Sequence, residues 1–232
     1  MTAADIPDDN QDLVAESLLT AATEIVARAG IEALRMRDVA EKAGVALGTP
    51  SYKFKNREGL IHAALDRANQ MISQNLQQYY DKGLDCPAYD AALHFIWGRV
   101  QFAWDHPYEI LLRSHAVYSN TSQNFRKIIS RYADANVELI IHVIKRLEEA
   151  KIITIPEHRH LVYFARNYMF IGWSYTQSTA LSIIDSDDIT YDSLKLSVAC
   201  SFESLIRGAG NPAILEDAVQ KKCQDFLTEP PQ

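Results

Sequence analysis

The chain has 232 residues and carries 23 Lys and Arg against 30 Asp and Glu, a formal net charge of −7. Apolar residues make up 47% and charged residues 23%, values that allow a sizeable core and exclude disordered, collagen-like and coiled-coil array classes. The three cysteines form no disulfide or zinc pattern, and no apolar run reaches the roughly 18 residues of a membrane span. We therefore expect a cytoplasmic protein of one large or two small domains, with no metal site and no cofactor.

Three short helices are predicted at the start of the chain. Apolar residues recur at steps of three and four over residues 12–29, and a glycine follows in the position of a helix C-cap. A second, shorter pattern covers residues 36–43 and is also followed by a glycine. A third starts at Ala46 or Thr49 and ends at Phe54.

Longer helices are predicted for the rest of the chain. One runs from Glu58 to about Lys82, and later Gly and Pro residues divide the remainder into about six more helices. All three Trp residues lie after residue 94, so this part has the large side chains that enclose an apolar cavity. The sequence thus predicts an all-α fold.

Residues 37–54 have the spacing of a helix-turn-helix. Ala40 is small enough for two helices to cross closely, and Gly44 is able to end the first helix in the left-handed conformation. Val45 is placed to fill the corner between the helices. The second helix is therefore expected to point outward.

The start and end of this second helix carry their own signals. Thr49 is a potential N-cap, and Pro50 follows at a position where a missing N–H costs nothing. Lys53, Lys55 and Arg57 come next with no acidic residue between them. A local cluster of cations, rather than the net charge, would attract phosphate groups.

This segment resembles the tetracycline-repressor-like (TetR) family of transcriptional regulators over about residues 13–66. The residues that carry the resemblance are Arg37-Asp38-Val39-Ala40, Ala43-Gly44-Val45, Gly48-Thr49, Tyr52, Phe54, Arg57-Glu58 and Leu60. The resemblance implies an N-terminal three-helix helix-turn-helix DNA-binding domain, residues 11–57, and a C-terminal helical effector-binding and dimerisation domain, residues 58–232. It also implies a homodimer built on a four-helix bundle.

Eight residues are predicted to bind double-stranded operator DNA. They are Arg37, Thr49, Pro50, Ser51, Tyr52, Lys53, Lys55 and Arg57. The side chains at positions 49, 51, 52 and 53 are expected to face the major groove, Pro50 to contact a thymine methyl group, and the remaining cations to hold phosphates. Phe54 is expected to pack inside the small domain, and for Tyr52 packing and groove contact remain equal alternatives. Ser51, Lys53 and Pro50 depart from the family pattern, so no operator sequence carries over.

The predicted effector site combines aromatic residues with polar residues embedded in apolar helices. Its candidates are His94, Trp97, Gln101, Trp104, His115, Tyr118, Phe164, Asn167, Tyr168 and Trp173. The central helices offer no dense Arg and Lys cluster, which favours a neutral apolar or aromatic effector. For each aromatic residue taken singly, a place in the core or the dimer interface is the competing interpretation.

The dimer partner is predicted to bind through helices near 159–181 and 190–207, because the latter has too many apolar positions for one face of a surface helix. No nucleophile elbow, HExxH motif or phosphate-binding glycine loop occurs, so we expect no catalytic residue and no enzyme. The main hypothesis is a homodimeric repressor that a small effector releases from its operator. The alternative is a small-molecule-binding or protein-interaction module of the same fold that has lost specific DNA binding, as Pro50, Ala46 and the acidic N-terminus suggest.

Overall fold

The structure is a computed structural model that describes residues 9–118, 123–153, 176–181, 183, 184, 190 and 192. Its regular structure in these residues is helical, which confirms the all-α prediction. The helices are α1 (Asp9–Ala29), α2 (Met36–Lys42), α3 (Thr49–Phe54), α4 (Arg57–Lys82), α5 (Ala88–Asp105), α6 (Pro107–Tyr118) and α7 (Gln123–Glu149), with a 3₁₀ turn (Ile31–Ala33) after α1. Within this described part, no helix combines the length and the hydropathy needed to cross a membrane.

The chain packs as two compact units. Unit 1 consists of residues 1–69 and 108–129, and unit 2 of residues 70–107 and 130–232. The long helix α4 therefore begins in unit 1 and ends in unit 2, while nearly all of α6 belongs to unit 1.

The core of unit 1 forms because four helices each present an apolar stripe to the same interior. The fully buried side chains include Leu18 and Ala22 of α1, Val39 of α2, Leu60 of α4 and Leu112 of α6. Full burial of a leucine contributes about 1.5–3 kcal/mol, so these stripes hold the short helices α2 and α3, which are too short to persist alone. The part played by α6 in this core was not apparent from the sequence.

The core of unit 2 is built around a close approach of α4 to α5. A Cβ atom on Gly98 would lie 2.2 Å from Cγ of the buried Tyr79, so only glycine permits this crossing. At the end of α4, the Arg146 guanidinium of α7 donates hydrogen bonds to the carbonyl oxygens of Gly83, Leu84 and Cys86, at 2.8, 3.3 and 2.6 Å. Arg146 thereby satisfies backbone acceptors that the helix end leaves open.

Candidate nucleic-acid interface

The turn between α2 and α3 has the geometry predicted for a helix-turn-helix. Gly44 adopts a φ of +68°, in the left-handed region that glycine enters without steric cost. Its N–H donates to the Glu41 carbonyl at 3.1 Å, and the N–H of Val45 donates to the Ala40 carbonyl at 3.0 Å. These two bonds close α2 in the manner of a Schellman motif. Ala40 is fully buried, as expected for the residue at the helix crossing.

Helix α3 begins at Thr49, one of the two starts that the sequence pattern allows. Gly48 is its N-cap, Thr49 its first helical residue, and Pro50 occupies the second position. The N–H of Thr49 already bonds to the Ala46 carbonyl at 2.9 Å, and that of Tyr52 bonds to the Gly48 carbonyl at 3.0 Å. The turn itself thus sets the start of the helix, and the predicted capping role of the Thr49 hydroxyl is corrected, since no side chain caps this helix.

The two faces of α3 have opposite character. Pro50 is buried, and Phe54 is half-buried against the core of unit 1. On the other side Ser51 is exposed and Tyr52 is 83% exposed, so Tyr52 does not pack inside the small domain. The expectation for Phe54 is met. The one for Pro50 is corrected, because a buried ring is not presented to a groove.

Three of the predicted cations lie on or near this surface. Lys55 is exposed and Lys53 is half-buried. Arg37 of α2 is 76% exposed, with its Nε 3.6 Å from Oδ1 of Asp38. No acidic residue occurs between Ala43 and Asn56, so the turn and α3 themselves carry only basic charge.

The fourth predicted cation, Arg57, has a place inside the fold. Its Nε donates to the Leu34 carbonyl at 2.9 Å, and its NH2 group donates to the Ile31 carbonyl and lies 3.6 Å from the Glu32 carboxylate. The guanidinium thus ties the first residue of α4 to the 3₁₀ turn that follows α1. The phosphate role predicted for Arg57 is revised accordingly, because its donors are already engaged by backbone acceptors.

The junction between α3 and α4 is a tight turn that the sequence analysis missed. Lys55 has φ +66° and ψ −56°, and the Asn56 N–H bonds to the Phe54 carbonyl at 2.8 Å, the geometry of a strained γ-turn. The Asn56 side chain then accepts the Gly59 N–H at 2.8 Å and so caps α4. An Asn immediately before a helix was the available signal.

Comparisons with known proteins match this part of the chain to a family. Residues 18–64 match the model of the bacterial regulatory proteins of the tetR family. Over these residues, about a fifth of the chain, the sequence is similar to that family. The matched residues contain most of α1, both helices of the helix-turn-helix and the start of α4.

A curated relative is similar to a longer stretch of the chain. It is an uncharacterized HTH-type transcriptional regulator of Haemophilus influenzae, 25% identical over 134 residues. The match covers 56% of this chain and 66% of the relative, just under two thirds of its length. Since the family and this relative are transcriptional regulators, the prediction that the chain is not an enzyme is confirmed.

Solved structures share the fold of this chain along most of its length. The ketosteroid transcriptional regulator KstR2 of Mycobacterium tuberculosis has a TM-score of 0.65 at 13% identity, covering 91% of this chain and 100% of that one. The fatty acid degradation regulator FadR from Bacillus halodurans has a TM-score of 0.65 at 11% identity, with 83% and 98% covered. A TetR family transcription regulator from Marinobacter aquaeolei has a TM-score of 0.63 at 14% identity, with 84% and 97% covered.

In unit 1, α6 lies against α1. The Arg28 guanidinium donates a 2.6 Å hydrogen bond to the Tyr108 hydroxyl and stands 5.2 Å from the centre of its ring. Nε2 of His115 lies 3.3 Å from the Ala27 carbonyl oxygen. His115, a predicted effector contact, is thus placed in α6, a helix that forms part of the core of unit 1.

Four other predicted effector residues lie together on α5 in unit 2. Trp97 is 1% exposed, Trp104 is half-buried, and the Gln101 amide donates to the Asp105 carboxylate at 3.0 Å. Nδ1 of the fourth, His94, is buried and has no hydrogen-bond partner among the described residues. The remaining candidates lie outside the described residues or side chains, as do the predicted dimer helices at 159–181 and 190–207 apart from residues 176–181, 190 and 192. These candidates are Tyr118, Phe164, Asn167, Tyr168 and Trp173.

The environment of His94 makes its protonation costly. Burial lowers the pKa of His94 from its ordinary value of 6.5, and Lys82 lowers it further, while Asp90 acts in the opposite direction. The unfolded chain therefore binds more protons than the folded chain as pH falls below about 6.5, and the folded state loses stability until the folded pKa is passed. We expect His94→Gln to lose less stability than the native chain between pH 8 and pH 5 in urea unfolding. Parallel pH profiles of the two proteins would contradict this assignment.

Proposed function

We propose that this chain is a homodimeric DNA-binding transcriptional repressor that a small apolar effector releases from its operator. The observation that carries the DNA-binding part is the exposure of Tyr52, at 83%, on the outward face of a helix whose inward face is buried. Leaving a tyrosine in water forfeits the free energy that its burial would supply. A groove of DNA provides both an apolar surface for the ring and acceptors for the hydroxyl.

The roles within this interface follow from exposure. Ser51 and Tyr52 are assigned to base edges, because both are exposed on α3. Lys53 is assigned to the same groove at its margin. Arg37 and Lys55 are assigned to the phosphates on either side, where charge matters more than shape. Half-buried Thr49 is retained as a contact of its hydroxyl at the start of α3.

The proposal that unit 2 binds a small effector rests on its buried polar atoms. Asn136 of α7 is 4% exposed, and its Oδ1 has no hydrogen-bond partner among the described residues. The same holds for Nδ1 of His94 on α5 and Oγ of Ser73 on α4. A buried acceptor without a partner costs about 1–3 kcal/mol, which a bound molecule with hydrogen-bond donors would recover.

The proposed class of effector agrees with the rest of unit 2 and with two neighbours. Large apolar side chains such as Phe95 and Trp97 dominate the buried face of α5. KstR2 is named for ketosteroid regulation and FadR for fatty acid degradation. Ketosteroids and fatty acids are both largely apolar molecules with few polar groups. We infer a mostly apolar effector that carries a hydroxyl or a similar donor.

Signal transfer is proposed to run through α6. Helix α6 shares the core of unit 1 with α1, and the Arg28–Tyr108 and His115–Ala27 hydrogen bonds fasten the two helices together. Its first residue, Pro107, is the last residue of a segment of unit 2. A displacement of this segment on effector binding would therefore be transmitted to α1 and to the helix-turn-helix, which changes the spacing of the two recognition helices in a dimer.

The central test is duplex binding measured by fluorescence anisotropy at several salt concentrations. We expect the full chain to bind fragments upstream of its own gene with a steep salt dependence, and Tyr52→Ala to weaken specific binding by about 5-fold to 150-fold, equivalent to about 1–3 kcal/mol. Tyr80→Ala, at a tyrosine of unit 2, is the matched control and should leave affinity unchanged.

The same assay separates the two candidate functions and tests the effector. Absence of binding at low salt to any genomic fragment would favour the alternative, a module without specific DNA binding. Molecules that raise the melting temperature of the chain should release the duplex, and Asn136→Ala should reduce that shift. A ligand that stabilises the chain without affecting duplex affinity would contradict the repressor model.

A further inference from the structure

Two large apolar side chains stand in solvent at the entrance to α3. Leu47, in the turn before the helix, is 65% exposed, and Tyr52 is 83% exposed. Few other large apolar side chains of the described residues are exposed to this degree. The pair therefore calls for an explanation that the fold of unit 1 does not supply.

The local geometry puts both side chains on one side of the helix start. Since Gly48 is the N-cap of α3, Leu47 occupies the position before the cap and Tyr52 the fourth helical position. Apolar residues at these two positions pack against each other across the first turn of a helix. Here both side chains are largely exposed, so the two positions offer a small apolar surface rather than a buried plug.

The surface around the pair is open. A Cβ atom built on Gly48 would meet no atom within 4 Å, and the same is true of Gly44. No side chain of the described residues therefore stands in front of the turn at these two points. A partner molecule with a projecting apolar group is therefore able to approach the backbone at Gly44 and Gly48.

The surrounding charge indicates which partner this is. Lys53 and Lys55 follow Tyr52 in the chain, and no carboxylate occurs between Ala43 and Asn56, a distribution complementary to a polyanion. The one apolar group that base edges present in the major groove is the C5-methyl group of thymine. Leucine has no hydrogen-bonding group, so the methyl group is the only part of a base edge that it is able to distinguish.

We propose that Leu47 reads a thymine methyl group in the operator, with Tyr52 completing the apolar contact. This inference rests on the proposed function, and it assigns to Leu47 the contact that the sequence analysis expected of the buried Pro50. It predicts a thymine at a fixed position of each half-site, facing the turn between α2 and α3.

The experiment removes the methyl group alone. Duplexes are enriched by the full native chain from a random-sequence library, and each thymine of the preferred duplex is replaced in turn by deoxyuridine. At one or two positions we expect binding of the native chain to weaken about fourfold, the amount for one buried methyl group. Leu47→Ala should weaken binding of the thymine duplex about tenfold and should abolish the difference between thymine and deoxyuridine. Leu84→Ala, at an exposed leucine of unit 2, should behave as the native chain.

The outcomes separate the inference from the proposed function. A duplex bound specifically but with the same affinity after every deoxyuridine replacement overturns the thymine contact and leaves DNA binding in place. A methyl-group effect that persists unchanged in Leu47→Ala assigns the contact to another residue and also overturns the inference. Failure to enrich any duplex at low salt overturns the proposed function, and the inference with it.

Discussion

Replacing Gly59 with alanine is expected to lower the free energy of unfolding of unit 1 by about 1–2 kcal/mol. The added Cβ would lie 2.3 Å from the Phe54 carbonyl oxygen, and this oxygen is fixed because it accepts the Asn56 N–H at 2.8 Å in the γ-turn. Overpacking of this kind costs about 1–3 kcal/mol and occasionally more. Alanine returns about 1 kcal/mol of helix propensity, so the steric clash with backbone prevails.

Urea unfolding followed by circular dichroism measures this effect, and Gly48→Ala is the matched control. A Cβ on Gly48 meets nothing within 4 Å, so its change should remain within about 0.5 kcal/mol. Because Phe54 ends α3, Gly59→Ala should also weaken duplex binding by displacing that helix. Equal free energies of unfolding for Gly59→Ala and Gly48→Ala would contradict this prediction, because the junction between α3 and α4 would then accommodate the added Cβ atom without loss of stability.

Replacing Arg57 with alanine is expected to destabilise the chain by about 2 kcal/mol, because the carbonyl oxygens of Ile31 and Leu34 lose charged donors. Because the Arg57 guanidinium is half-exposed, the expected loss of stability lies near the lower end of the range for hydrogen bonds to charged groups. The expected signature is a lower denaturation midpoint with an unchanged slope.

Two further variants serve as controls for this prediction. Arg57→Lys should recover part of the stability, because an ammonium group reaches one acceptor but lacks the planar fork. Arg37→Ala, at a side chain 76% exposed, should leave stability unchanged and weaken duplex binding. If Arg57→Ala instead weakened duplex binding with unchanged stability, its role would be the phosphate contact first expected from the sequence.

These two predictions and the proposed DNA contacts depend on different residues of one small structure. Gly59 and Arg57 hold α4 against the end of α3 and against the 3₁₀ turn, respectively. Ser51 and Tyr52 remain free of core contacts on the outward face of α3. The supporting residues set where the helix lies, and the exposed ones determine what it is able to recognise.

Periodicity and turn chemistry were sufficient to predict much of unit 1. The apolar steps of α1, the left-handed Gly44 and the packing role of Phe54 are local properties, since each depends on neighbours within a few residues. The outward position of Tyr52 was left open because a six-residue helix is shorter than two turns. Such a helix has too few positions to show by sequence pattern which face is buried.

Long-range partners were beyond the reach of the sequence. In the sequence Arg57 is one of a row of cations, but its acceptors lie on a turn that precedes it by more than twenty residues. His115 is a polar residue in an apolar helical pattern, and its partner is the Ala27 carbonyl of α1. The charge or the imidazole of a side chain determines which hydrogen bonds and ion pairs it is able to make, but not which group lies near it in the fold.

By itself, the amino-acid sequence determined the all-α class and the helix-turn-helix, because these follow from spacing along the chain and from residue types that act on their immediate neighbours. Only the tertiary structure decided that Pro50 faces inward while Leu47 and Tyr52 face water, and that α6 completes the core around α1. The reason is physical: exposure and the choice of hydrogen-bond partner are set by which helices pack together. That packing joins segments of the chain whose separation in sequence carries no information about their separation in space.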